Sequence, residues 1–196
     1  MNNPDVEALS LHEHATALEQ QRDLLPAAGF PVQVSDPVAL SRQITQLGSF
    51  ITALGTEFTT RITDQSAPDH ALGAAGAYAE AIGHLGQAAC DLGEAAEQLT
   101  YLRRTDDKRH DPKARELRHN ARQVIGFASE GARGELQQAA RTLRQAASVI
   151  APDDNRVQAA RSRSATAVAT GPAPNPATPP TPPPLTPARP SSGNHL

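Results

Sequence analysis

From Tyr78 to Leu99 the chain repeats apolar and small residues at Tyr78, Ile82, Leu85, Ala89, Leu92, Ala96 and Leu99. The steps alternate between four and three, the a/d register of a coiled-coil-like helix. A second run, Leu40, Ile44, Leu47, Ile51, Leu54 and Phe58, keeps the same rhythm. Leu11, Ala15, Leu18 and Leu25 mark one face of an earlier helix. A later one carries Leu117, Ala121, Val124 and Ala128, then Ala132, Leu136, Ala139, Leu143, Ala146 and Ile150. The passage from 128 through 132 to 136 inserts an extra step of four, a stutter that relaxes supercoiling. Gly131 and Gly134 lie there, so the pattern predicts a kink or break.

Prolines mark where these helices begin. Asn3-Pro4, Asp36-Pro37 and Asp111-Pro112 each place a capping side chain before a proline at the first helical position. The cap accepts a free amide, and proline has no amide to leave unsatisfied. Pro68, behind Ser66, is a looser version of the signal. Helices are predicted over about 4–25, 37–64, 69–103 and 112–150, with a connector at 26–31. The short turn at 64–68 makes the second and third antiparallel neighbours. The expected fold is all-α: an antiparallel bundle of four helices over 1–151, with heptad packing. Residues 152–196 turn Arg-, Ser- and Ala-rich and then hold ten prolines between 172 and 190. Such a segment predicts a disordered tail with polyproline II bias.

The flanks of the third helix widen its apolar arc. Position e carries Ala79, Gly86, Gly93 and Thr100, position g carries Ala81, Ala88, Ala95 and Leu102, and position b adds Gly83 and Cys90. Two-stranded coiled coils usually place charged residues at e and g. Small residues there predict a central helix touched from several sides, with glycines permitting close approach.

Composition limits the core. Aromatics make up 3% of the chain and tryptophan is absent, so the core must come from Leu, Ile, Val and Ala. A buried Leu or Ile contributes about 1.5–3 kcal/mol and an alanine much less. Cys90 is alone, which excludes an intrachain disulfide and makes a reducing, cytoplasmic setting the expectation. As a small residue beside the seam it is expected to be a buried thiol. The start has no basic and apolar leader pattern, and no run approaches the roughly 18 apolar residues of a membrane span.

The net charge of −3 conceals an asymmetry. Residues 1–100 hold Arg22, Arg42 and Arg61 against thirteen acids, while residues 101–196 hold fifteen Lys or Arg against eight. Arg122, Arg133 and Arg144 are eleven residues apart and share a helix face, with Arg115 and Arg118 nearby. These five are the candidate nucleic-acid contacts, following a phosphate backbone. No aromatics are interleaved for base stacking. The competing expectation is that such arginines pair with acids of the first and third helices.

Motifs for chemistry are absent. There is no Gly-x-Gly-x-x-Gly, no Gly-Lys-Ser/Thr phosphate loop and no Gly-x-Ser-x-Gly. His12-Glu13 begins like a zinc helix, but Thr16 stands where the second histidine is required. His12 and His14 are expected at the surface, and His84 solvated or locally satisfied. No catalytic, metal-binding or cofactor-binding residue is therefore expected, and no small-molecule substrate is evident. The hairpin 37–103 resembles in outline the small helical proteins exported by type VII systems. Those carry a Trp-x-Gly turn and this chain has no tryptophan, so none of their function is carried over. The expectation is a non-enzymatic interaction or scaffold protein that binds a partner helix or a second copy. The alternative is a nucleic-acid accessory protein.

Overall fold

The computed structural model describes residues 3–25, 36–108 and 110–152. The tail beyond Pro152 and the connector at 26–31 lie outside them. Among the described residues there are four helices: α1 (Pro4–Asp23), α2 (Pro37–Ile62), α3 (Asp69–Arg104) and α4 (Pro112–Ile150). Each bound falls within two residues of its sequence expectation. The three Asx-Pro caps form as read: Asn3 Oδ1 accepts from the Asp5 amide at 3.1 Å, Asp36 Oδ1 from Val38 at 3.3 Å and Asp111 Oδ1 from Lys113 at 3.0 Å.

The third helix is central. It packs most extensively on α4 and next on α2, while α1 lies along α4 and only grazes α3. The helices are thus ordered α2, α3, α4, α1 in space. The backbones of α1 and α2, and of α2 and α4, seldom come close. The expected bundle is present, open along the α1/α2 side.

The buried stripe of α3 is rotated from the predicted seam. Tyr78, Leu85, Leu92 and Leu99 at position d are buried, and so are Ala81, Ala88, Ala95 and Leu102 at position g. Ile82, Ala89 and Ala96, assigned to position a, are only partly buried. The reason is that α3 has two unequal neighbours. Its d/g side meets α4, the more extensive contact, and its a/d side meets α2. On α2, Leu40, Leu47 and Leu54 are buried, with Ile44, Ile51 and Phe58 partly covered.

The α4 helix departs further. It runs unbroken through Gly131 and Gly134, so the expected break is absent. Its buried positions are Arg118, Ser129, Ala140 and Ala151; Ala121, Ala132 and Leu143; Ile125, Leu136 and Ala147; and Ala128 and Ala139. Each set repeats every eleven residues. An eleven-residue repeat, about 3.67 residues per turn, keeps one face toward its neighbours without left-handed supercoiling. What reads as a stutter in a heptad is the regular beat of this longer repeat. Leu117, predicted in the seam, is therefore turned outward and is 48% exposed.

The glycines also depart from expectation. A methyl group built on Gly48, Gly55, Gly73, Gly76, Gly83, Gly86, Gly93 or Gly134 would meet nothing within 4 Å. Close helix approach within the chain accounts for none of them. Gly131 is different, because a methyl group there would stand 2.7 Å from Asp91 Oδ2 of α3. Replacing Gly48, Gly55, Gly83 or Gly93 with alanine should raise stability by about 0.5–1 kcal/mol each. Gly131→Ala should gain less, because Asp91 must move aside. Urea denaturation of the five variants checks this, and destabilisation at the open positions would contradict it.

Candidate functional site

Two polar assemblies organise the bundle, and neither resembles a catalytic centre. At one end, Arg61 near the close of α2 reaches across to α1. Its Nε donates to Glu7 Oε1 at 2.5 Å, and its Nη1 donates to Glu57 Oε2 at 2.5 Å and to the Glu57 carbonyl at 2.7 Å. The guanidinium lies 4.8 Å from the centre of the Tyr78 ring. The Tyr78 hydroxyl pairs with Ser10 Oγ at 3.2 Å. His14 meets the same ring edge-on and binds the Ser10 carbonyl through Nδ1 at 2.8 Å. Glu7 and Arg61 are both largely buried.

Burial works against the Arg61 charge, but the hydrogen bonds to Glu7 and Glu57 outweigh it and raise its pKa. For Tyr78, burial pushes the phenol pKa up from 10.0, against the opposing pull of Ser10 and Arg61. Sequence reading missed this cluster. The available signal was a tyrosine at a core position, whose hydroxyl needs a polar partner once buried.

At the opposite end, the arginine stripe is largely drawn into the fold. Arg118 is buried, and its Nη1 donates to the Leu102 carbonyl at 2.5 Å and to Thr105 Oγ1 at 3.0 Å. Its Nη2 meets Asp106 Oδ1 at 3.1 Å. Arg133 Nη1 donates to the carbonyls of Leu25 at 2.7 Å and Arg22 at 3.0 Å, so α4 caps the end of α1. Gln43 Nε2 adds a bond to the Leu24 carbonyl at 2.9 Å. Arg144 holds Glu19 through two bonds, one of them Nη2 to Oε2 at 2.5 Å. Of the five arginines read as candidate nucleic-acid contacts, Arg118, Arg133 and Arg144 thus bind groups of their own chain. Arg115 is exposed, and Arg122 is half-buried in a cleft.

Because Arg133 sits at the end of α1, the part of α4 before it has no cover from α1. Phe127 there is 73% exposed. Cys90 is exposed rather than the buried thiol expected, because position b of α3 faces away from both neighbours. His84 is satisfied by Glu135 Oε2 at 2.6 Å. His12 and His14 are half-buried rather than at the surface, His14 because its ring packs against Tyr78 of α3. Among the described residues no group of three His, Cys, Asp or Glu is arranged to hold a metal ion. No helix among the described residues is long and apolar enough to cross a membrane.

Removing one partner of a buried ion pair strands the other. Glu7→Ala should therefore destabilise the fold by about 3–5 kcal/mol. Arg61→Met combined with Glu7→Leu should recover much of that loss, as read by thermal unfolding. The Tyr78 shift has a definite sign. With the folded pKa raised, its contribution is complete below 10.0 and is lost as pH climbs through the unfolded and then the folded value. Tyr78→Phe should flatten the alkaline decline in stability while costing about 0.5–1.5 kcal/mol at neutral pH. An unchanged alkaline limb would remove the assignment. No protein-family model matches the chain, and no curated protein or solved structure matches it either.

Proposed function

We propose that the chain is a non-enzymatic interaction protein whose α2 and α3 helices receive a partner helix or a second copy of the chain. The outward glycines carry this reading. At Gly48 and Gly55 on α2, and at Gly76, Gly83, Gly86 and Gly93 on α3, no atom of the described residues stands within 4 Å of where a Cβ would be. Each such residue costs about 1 kcal/mol of helix stability relative to alanine. That cost has no return inside the bundle. It has one if another backbone lies against this face, since small residues allow close helix approach.

Neighbouring threonines support the same use. The hydroxyls of Thr52 and Thr59 donate to the carbonyls of Gly48 and Gly55 at 2.9 and 2.8 Å. With the hydroxyl satisfied, the face offers little that demands water. Ile62 and Leu72 add exposed apolar side chains, 53% and 44% accessible.

Light scattering on the full chain across micromolar concentrations tests self-association, with a dimer expected. Gly55→Leu and Gly83→Leu should abolish it without lowering the unfolding temperature, since both side chains point into open space. A strict monomer removes the second-copy form of the reading. An unchanged dimer in both variants would place the interface elsewhere.

The alternative is nucleic-acid binding at the α3/α4 corner, where Arg104, Lys113 and Arg115 stay exposed. It predicts affinity falling with salt by a log–log slope of about −0.9 per neutralised phosphate. Lys113→Glu with Arg115→Glu should then abolish retention on DNA or RNA at unchanged helicity. No retention of the parent chain at low salt removes this alternative.

A further inference from the structure

At the end of the bundle where α2 begins, α3 ends and α4 begins, an open chamber of about 700 Å³ separates α2 from α4. Arg103, Arg118 and Arg122 line it, against the carboxylates of Asp36 and Asp106. Both carboxylates are already engaged, Asp36 with the Val38 amide and Asp106 with Arg118. Arg118 is likewise held, so it forms a fixed wall. The guanidinium groups of Arg103 and Arg122 make no hydrogen bond or ion pair with other described residues. Two cations from different helices therefore border one cleft with no ion pair of their own, and with Arg118 the guanidinium groups outnumber the two carboxylates by one.

The chamber continues into a second space. A groove of about 340 Å³ runs between α2 and α3, sharing Pro37, Leu99 and Arg103 with the chamber. Its further lining is mainly apolar, with Leu40, Ile44 and Ala96. Both volumes fall in the range of small-molecule sites, roughly 300–1,000 Å³. The joint is Arg103: charge lies on one side of it and apolar surface on the other.

We propose that this joined cleft binds an amphipathic organic anion, with a carboxylate or phosphate head between Arg103 and Arg122 and an unbranched apolar chain along the α2/α3 groove. Guanidinium groups match both head types because their N–H donors are planar and paired. The groove offers the chain surface that water covers poorly.

Isothermal titration of the full-length protein tests this with dodecanoate and dodecyl phosphate below their micellar concentrations. Inorganic phosphate and dodecanol test each half of the ligand alone. Saturable one-to-one binding of at least one anionic amphiphile is expected, and the two head groups tell carboxylate from phosphate as the preferred source. Each half alone should bind roughly ten- to hundredfold more weakly. Arg103→Gln with Arg122→Gln should weaken the amphiphile by a similar roughly ten- to hundredfold factor. Neither residue supports the core, so folding serves as the control, read by circular dichroism. Thr100→Trp, which fills the groove from its exposed rim, should weaken dodecanoate and leave dodecanol no better bound. Equal binding of dodecanol and dodecanoate, indifference to both arginine changes, or only non-saturable uptake would each overturn the proposal.

Discussion

The burial of one side of α3 is the constraint on which the bundle rests. Tyr78, Ala81, Leu85, Ala88, Leu92, Ala95, Leu99 and Leu102 form a strip in which alanine alternates with a larger residue as far as Leu99. Alanine brings little transfer free energy, so a strip of this kind stabilises only through close and continuous packing along its length. A long α4 answers it with alanines of its own at 121, 128, 132, 139, 140 and 147. Two long helices with shallow side chains gain cohesion from extent. The same economy explains the scarcity of aromatics: a large ring would force the helices apart, and Tyr78 is accommodated only at the end, where polar partners surround it.

Polar ties finish what the thin core leaves loose. The backbone of α1 seldom comes close to that of α2, yet α1 is tethered to it at both ends, by Glu7 with Arg61 and by Gln43 with the Leu24 carbonyl. α4 holds it through Arg133 and Arg144. These bonds are specific in direction and position, whereas alanine and leucine surfaces tolerate sliding. Of these ties only Arg144 with Glu19 joins the basic second half of the chain to an acid of the first, and it lies toward the surface. The last carbonyls of α1 are also satisfied by these contacts, which a short helix needs more than a long one.

What the fold does not consume is as informative. The outward glycines of α2 and α3, the exposed Phe127 on the uncovered start of α4, and the free Arg103 and Arg122 all lie outside the core. None of them stabilises the bundle, and the glycines weaken it. Their surfaces differ in character: one smooth and uncharged, one apolar, one cationic beside an apolar groove. The first suits a helix and the last a small anion with an apolar chain.

The sequence by itself determined the helices and their ends. Asx-Pro caps and apolar periodicity are local signals, set by backbone amides and by which side chains share a face. It also determined most of the seam, since Leu47, Leu54, Leu85, Leu92 and Leu99 are buried wherever their helices lie. Only the tertiary structure decided which flank of α3 is central, because that depends on the relative extent of α2 and α4 as neighbours. It likewise decided the register of α4, where the two readings share Ala121, Ala128, Ala132, Leu136, Ala139 and Leu143 but part at Val124 against Ile125, Ala146 against Ala147, Ile150 against Ala151, and Leu117 against Arg118. Apolarity favours Leu117, yet Arg118 is the buried one, because the carbonyl of Leu102 and the side chains of Thr105 and Asp106 supply the partners a buried guanidinium requires. Those partners come from the end of α3 and the turn after it, and no helical periodicity reveals them.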